Sequence, residues 1–277
     1  MVRSTIRVSF QGEKGSYSDE ASEKYFGKHV AVRPCRTLRG VFHAVEAREV
    51  AFGIVPIENS YEGSINETYD LLATTTSKVC GEVTVRVRHC LIARQGTKLS
   101  QIRIVYSHPQ ALAQCATFLR AHRLEGVPSY DTAGSVKLVK EMQSSKVAAI
   151  ASRRAARLYA MQIISEGIEA TETNYTRFLI LGRKIASRSG DDKTSVIFGV
   201  EHSPGSLYRA LHALANRKIN LTKIESRPVK DTPWQYNFFV DFQGHVQDRV
   251  CQQALKDLQH RSTFVKMLGS YPRESSS

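Results

Sequence analysis

Between Thr5 and Gly182 the chain repeats one pattern, a short apolar run followed by a stretch whose apolar residues recur every three or four positions. Strands buried on both faces read as continuous apolar runs, and the helices that cover them read as a 3.6-residue stripe. The alternation therefore restricts this segment to an α/β domain. TIRVSF (Thr5 to Phe10) and VAFGIVPI (Val50 to Ile57) are such strands, and SYSDEASEKYF from Ser16 is a helix opened by a Ser-x-x-Asp capping box. Another strand covers Val30 to Arg33 and a helix begins near Thr37. A second capping box, Ser64-x-x-Glu67, opens the helix SINETYDLL. EVTVRVRHCLIA (Glu82 to Ala93) alternates with period two and reads as one strand with a wetted face carrying Arg86 and Arg88. The adjacent His89 and Cys90 point to opposite faces of it and read as structural.

The pattern then restarts. IRIVYS is a strand, HPQALAQCATFLRAH a helix with Pro109 in its first turn, VPSY a short strand and AGSVKLVKEMQ a helix. VAAIAS and SRRAARLYAM add a strand and a helix, and RFLILG (Arg177 to Gly182) returns as a strand. Two α/β lobes joined by crossing strands enclose a cleft, the usual home of a small-ligand site. RKIASRSGDD loses periodicity and reads as a linker over 183–192. The segment 193–277 then runs strand, helix, strand, strand, helix, strand, the ferredoxin-like βαββαβ order. The tail PRESSS reads as disordered.

At 277 residues, 42% hydrophobic and 23% charged, the composition is that of a globular protein. The net charge of +13 favours anionic partners, but the basic residues are spread along the chain rather than gathered on one helix or ribbon, which argues against nucleic acid. Five widely spaced cysteines with no CxxC pair, and scattered histidines, give no metal-ligand spacing, and the odd number suits a reducing compartment. No apolar run reaches the roughly 20 residues of a membrane span. Met1 is followed almost at once by a strand-like segment rather than a signal peptide, so the chain reads as cytoplasmic unless a transit segment has been removed.

In an α/β lobe, ligands lie beyond the carboxyl ends of strands, near helix N-termini whose free N–H groups attract anions. Three polar clusters occupy such junctions: GEKGSYS (Gly12 to Ser18), Glu58 with Asn59 and Ser60, and DTAGS (Asp131 to Ser135). Each alone is more often a helix cap than a site. A fourth segment, NYTRFLIL (Asn174 to Leu181), places Thr176 and Arg177 at the head of an apolar strand, where a guanidinium offers two parallel donors to a carboxylate.

VPIENSYEGSINETYDLL, SHPQALAQC, YDTAG and NYTRF, in this order and spacing, resemble the catalytic region of the prephenate dehydratase family, which includes the arogenate dehydratases. The C-terminal unit resembles an ACT regulatory domain, with PGSLYRAL (Pro204 to Leu211) and KIESRP (Lys223 to Pro228) at its motif positions. The resemblance implies a catalytic domain over 1–182, periplasmic-binding-protein-like with its cleft between two lobes, and an ACT domain over 193–277. It implies decarboxylating dehydration of prephenate to phenylpyruvate, or of arogenate to phenylalanine, without a cofactor. Thr176 would serve the leaving hydroxyl and Arg177 a substrate carboxylate, Asn59 and Ser60 would hydrogen-bond the substrate, and Ser16, Ser18, Thr132 and Ala133 would line the cleft. Glu58 would turn away and hold a backbone group or an arginine. Phenylalanine would bind near Gly205, Leu207, Asn220, Glu225 and Ser226 between paired ACT domains, making the protein a dimer or tetramer under feedback control. Ser206, where the family usually has Ala, and Ser135 with Val136 are departures that could retune the effector and substrate sites. A non-catalytic amino-acid sensor could use the same architecture; NYTRF separates the two readings.

Overall fold

The computed structural model of the chain describes residues 6–230 and 232–274. Met1 to Thr5, including the first residue of the expected opening strand, and Ser275 to Ser277 of the tail lie outside the described residues. The elements are β1 (Arg7–Gln11), α1 (Tyr17–Phe26), β2 (Ala31–Cys35), α2 (Leu38–Glu46), β3 (Phe52–Asn59), β4 (Gly63–Ser64), α3 (Asn66–Thr74), β5 (Lys78–Arg86) and β6 (Cys90–Ala93). There follow β7 (Ile104–Ser107), α4 (Pro109–Gln114), α5 (Ala116–Ala121), β8 (Glu125–Pro128), α6 (Thr132–Met142), β9 (Val147–Ala151), α7 (Arg153–Leu158), β10 (Gln162–Glu166) and β11 (Tyr175–Gly182). The last are β12 (Asp192–Gly199), α8 (Ser206–Ala215), β13 (Leu221–Pro228), β14 (Tyr236–Gln243), α9 (Arg249–His260) and β15 (Phe264–Pro272).

The described residues form three sheets. The first has the order β2-β1-β3-β11-β5, with β4 folded back on β3; the second runs β10-β6-β9-β7-β8; the third, wholly antiparallel, runs β13-β14-β12-β15. The third is the ferredoxin-like sheet that the βαββαβ order requires, and α8 and α9 close it over a core that includes Val196, Phe198, Leu214, Phe242 and Leu258. The chain packs as two compact units that do not follow its linear order. One comprises Met1–Val41, Ile54–Ser64 and Thr84–Phe178; the other comprises Phe42–Gly53, Ile65–Val83 and Leu179–Ser277.

Several local expectations are corrected. Glu82 to Ala93 is not one strand: it divides into β5 and β6, which belong to different sheets. At the division the Val87 N–H donates to the Asn174 carbonyl and the His89 N–H to the Glu169 carboxylate, so a period-two pattern continues through residues with no ladder. Ser64 does not cap α3, because its backbone is paired with Glu58 in the β3–β4 hairpin; the N-cap is Ile65, whose side chain makes no cap bond. The expected single helix after Pro109 breaks at Cys115 into α4 and α5. β10 follows α7 where the helix SRRAARLYAM was expected to continue to Met161. The tail is ordered at least to Glu274, with Arg273 forming two bonds to the Asp191 carboxylate.

Within the first unit, the turn between β1 and α1 is pinned by the second lobe. Ser152, N-cap of α7, accepts the Ala155 N–H and donates to the Gly15 carbonyl at 2.7 Å. Gly15 has φ +91°, and a Cβ there would lie 2.9 Å from Ala155 Cα. We expect Gly15→Ala to lower stability by about 1–3 kcal/mol, since backbone must move. Gly27→Ala, at φ +84° with nothing within 4 Å, should cost only the strain of its backbone, about 1 kcal/mol. Thermal unfolding of both variants checks the difference, and equal losses would refute the packing argument.

Candidate active site

Strand β3 keeps its ladder to its last residue, so Glu58 and Asn59 end the strand rather than follow it. Alternation along a strand sends them to opposite faces. Asn59 is buried, and its Oδ1 accepts the N–H groups of Tyr61 and Glu62, both at 3.0 Å, which closes the turn of the β3–β4 hairpin. Because backbone N–H groups can only donate, this fixes which end of the amide is oxygen. The Nδ2 is then turned toward β11, where it lies 2.7 Å from Asn174 Oδ1, 3.0 Å from Thr176 Oγ1 and 3.1 Å from the Tyr175 carbonyl. Ser60 donates to the Thr173 carbonyl and accepts the Tyr175 N–H, both at 2.9 Å. Asn59 and Ser60, expected as substrate donors, thus hold the start of β11 with the polar atoms in question.

Thr176 is buried, and its oxygen accepts from Asn59. Its hydroxyl proton has no acceptor among the described residues, so it remains available to donate. Arg177 points to the opposite face and pairs with Glu58 at 3.3 Å. Glu58 does hold an arginine, as expected, and that arginine is Arg177.

A cavity of about 410 Å³ opens at the junctions after β1, β2 and β7 and at the N-terminus of α6. Such a volume suits a small ligand. Ser16, Ser18 and Thr132 line it, as do Tyr17, Arg36, His108 and Asp131. Ser16 also caps α1 by accepting the Asp19 N–H at 3.4 Å. Ala133 is not on the wall: its side chain lies in the core with Val136 and Val139 beneath α6. Asn59, Ser60, Thr176 and Arg177 are not lining residues either.

Asp131 ties the cavity's two walls together. It caps α6 through the Gly134 N–H at 2.7 Å, and Gly12 of the facing turn, at φ +103°, approaches so closely that a Cβ would lie 2.6 Å from Asp131 Oδ2. Burial raises the pKa of Asp131, opposed by N–H groups of Gly134, Glu13 and Ala133. Burial also pushes Tyr130 up to about 12, helped by its bond to the Glu13 carboxylate, so both phenols on the wall, Tyr17 and Tyr130, keep their protons at neutral pH.

Arg36 and His108 were missed by sequence reading, although the signal existed. Arg36 follows β2 directly and His108 stands between β7 and α4, whose first turn it caps by accepting the Gln110 N–H at 3.3 Å. The strand-end rule, applied to every strand, selects both.

In the C-terminal unit, Gly205 takes the left-handed conformation (φ +78°) and is the N-cap of α8, Leu207 packs at the edge of the core, Asn220 precedes β13, and Glu225 and Ser226 lie on that edge strand. Ser206 is engaged: its hydroxyl lies 2.6 Å from that of Ser203 and accepts from Arg209 at 2.9 Å. β13 also grips α3 within the same unit, through Arg227 with Asp70 at 3.2 Å and Lys223 over the Tyr69 ring. Among the described residues no group of His, Cys, Asp and Glu could hold a metal ion, and no helix is long and apolar enough to cross a membrane.

The family pattern described as prephenate dehydratase matches residues 8–186, and that of the ACT domain matches 194–260. The chain is 42% identical to arogenate dehydratase/prephenate dehydratase 2, chloroplastic, of Arabidopsis thaliana, over 97% of this chain and 73% of the relative. Among solved structures it is similar to prephenate dehydratase of Arthrobacter aurescens in complex with L-Phe, with a TM-score of 0.89 at 32% identity over 97% of this chain and 90% of that one. It is also similar to GqqA, described as a novel type of quorum quenching acylase, with a TM-score of 0.88 at 31% identity over 97% and 98%.

Truncating Asn59 should be costly, because it strands the buried Asn174 Oδ1 and removes the acceptor of two N–H groups in the exposed turn. We expect Asn59→Ala to lower the unfolding free energy by about 2–4 kcal/mol, about 1–3 kcal/mol for the unpaired buried Asn174 oxygen and about 1 kcal/mol for the lost turn bonds. Urea unfolding measures it, and a loss below about 0.5 kcal/mol would show that the amide is not what holds β11.

Proposed function

The chain belongs to the prephenate dehydratase family, and from that premise we propose that it converts prephenate to phenylpyruvate, water and carbon dioxide. The observation that carries the reading is the Thr176 hydroxyl: its oxygen is occupied by Asn59 while its proton is left to donate. In this reaction the ring carboxylate leaves as carbon dioxide, its bonding electrons enter the ring, and the opposite C–O bond breaks. The departing oxygen takes up a proton to leave as water. A neutral threonine hydroxyl is too weak an acid to surrender its proton outright, so Thr176, which lies off the cavity wall, serves as a hydrogen-bond donor to the leaving oxygen of a substrate that extends to it from the cavity. The proton itself reaches that oxygen from water or from a titratable group of the cavity wall, of which His108 is one.

The substrate carries two carboxylates and needs fixed positive charge. Among the described residues lining the cavity, Arg36 is the one arginine or lysine, and we assign it to a substrate carboxylate. Arg177, on the other face of β11 from Thr176, orders Glu58 and the strand from which Thr176 projects. Ser16, Ser18 and Thr132 supply neutral donors, and the N-terminus of α1 adds its own partial charge. Ala133 contributes through its backbone alone.

The division of labour follows the family: catalysis over 1–182, a linker over 183–192 and regulation by phenylalanine over 193–277, with the effector near Gly205, Leu207, Asn220, Glu225 and Ser226. The edge strand β13 exposes Ile224, which suits pairing of ACT domains in a homodimer or tetramer. None of the five cysteines is in a disulfide, which suits a reducing compartment, the cytoplasm or a plastid.

Purified protein supplied separately with prephenate and arogenate, with and without phenylalanine, tests the reading by its products. Phenylpyruvate from prephenate is expected; absence of both products, phenylpyruvate and phenylalanine, would overturn it. Thr176→Val should lower kcat by about 100-fold or more while Thr176→Ser retains much of it, as expected for loss of a transition-state donor. Arg36→Gln should raise KM by about tenfold with kcat little changed, the pattern of lost carboxylate binding. If instead Arg177→Gln produces that pattern and Arg36→Gln does not, the carboxylate assignment moves to Arg177.

A further inference from the structure

The Thr176 hydroxyl and the cavity wall are joined by an unbroken line of side chains, all buried except the half-buried Tyr17. Gln114, the last residue of α4, places its Oε1 2.9 Å from Asn174 Nδ2 and 2.9 Å from His89 Nε2, and its Nε2 lies 3.3 Å from Glu62 Oε1. On the far side of the imidazole, His89 Nδ1 lies 3.1 Å from the hydroxyl of Tyr17, which lies 2.9 Å from the Arg88 carbonyl as well. Tyr17 lines the cavity. The line therefore runs Tyr17, His89, Gln114, Asn174, Asn59, Thr176, entirely inside one compact unit.

The three amides of the line admit one assignment. The N–H groups of Tyr61 and Glu62 make Asn59 Oδ1 an acceptor, so Nδ2 faces Asn174 Oδ1 and Thr176 Oγ1. Asn174 must then offer its Nδ2 to Gln114 Oε1. Gln114 is held in the same sense independently, because its Nε2 faces a carboxylate of Glu62, which accepts. An oxygen at Gln114 Oε1 requires a proton on His89 Nε2; in a neutral imidazole Nδ1 is then bare, and the single Tyr17 proton is shared between Nδ1 and the Arg88 carbonyl. If His89 carried its proton on Nδ1 instead, a bare Nε2 would face the Gln114 oxygen. Relieving that contact by turning the amides over would place Asn59 Nδ2 against two backbone N–H groups.

We propose that His89 is a positioning residue for the reaction: held as the Nε2–H tautomer between Tyr17 and Gln114, it locks the amide chain in the one sense that leaves the Thr176 hydroxyl proton free for the substrate. The imidazole is 2% exposed. Burial lowers its pKa, against the opposing effects of the Gln114 bond and of Glu169, whose carboxylate accepts the His89 backbone N–H, and this keeps it neutral. The inference rests on the role given to Thr176 in the proposed reaction.

Two measurements on the full-length protein test it. In ¹⁵N-histidine-labelled wild type near neutral pH, with the signal assigned by its loss in His89→Gln, Nε2 should appear protonated and Nδ1 bare. An Nδ1–H tautomer or an imidazolium overturns the proposal whatever the activity. Kinetically, His89→Leu should lower kcat by about 10- to 100-fold with KM within about twofold, the range for loss of a partner that orients a reacting group. His89→Gln, whose side-chain N–H can occupy the place of Nε2–H, should recover most of the loss. A folded His89→Leu with wild-type kcat, or equal losses in both variants, overturns it. Failure of the proposed reaction would show separately, as a wild type inactive on prephenate and arogenate with its imidazole signal unaltered.

Discussion

One buried amide, that of Asn59, holds the candidate site in register. Its oxygen closes the β3–β4 turn and its nitrogen reaches the adjacent β11, so the geometry of one hairpin is transferred to the residue with the spare proton. Each bond alone contributes about 1 kcal/mol, but an unmade bond in this setting costs more than a made one gains. The cluster is consequently cooperative: Asn59, Asn174 and Gln114 tolerate one arrangement of oxygens and nitrogens, and any reversal leaves like groups facing each other.

This rigidity fits the chemistry of an elimination driven by aromatisation. Such a reaction needs little covalent participation from the protein and much exact placement of a donor that meets charge only as it appears. A threonine whose lone pair is already occupied cannot turn its proton elsewhere at low cost. In the proposed assignment electrostatic attraction falls to Arg36 on the cavity wall, while the cation nearest in sequence, Arg177, is turned to Glu58.

Much of the fold could be read from periodicity. The α/β alternation and the βαββαβ tail both follow from patterns that local sequence determines. The errors arose where tertiary context reused a pattern. Val87 to His89 alternates like a strand but bridges two sheets, and Ser64 looks like a cap but lies in a ladder. For the site, the strand-end rule picked out the segments that carry Ser16, Ser18, Asn59, Ser60, Thr132 and Thr176, and the family resemblance supplied the role expected of each. Ala133 followed from its neighbours and lies in the core. Gln114 and His89 were not singled out, although Gln114 lies in SHPQALAQC: it stood in the middle of an expected long helix, and His89 was read as structural within a single strand. Arg177 could have been separated from Thr176 at the outset, since adjacent residues of a strand face opposite ways.

The interleaving of the two compact units has a practical consequence. Helix α3 starts only a few residues after Asn59, yet it packs in the unit that contains the ferredoxin-like sheet, where Lys266 of β15 donates to the carbonyls of Leu72, Ala73 and Thr75 at its C-terminal end. Severing the polypeptide within 183–192 would therefore not release two self-sufficient pieces. The N-terminal fragment would carry away a helix stripped of the ammonium that satisfies its last carbonyls, and the C-terminal fragment would expose the surface that Tyr69 covers against Phe239. Excision is a poor way to study regulation in this molecule; point substitutions in the intact chain are the cleaner instrument.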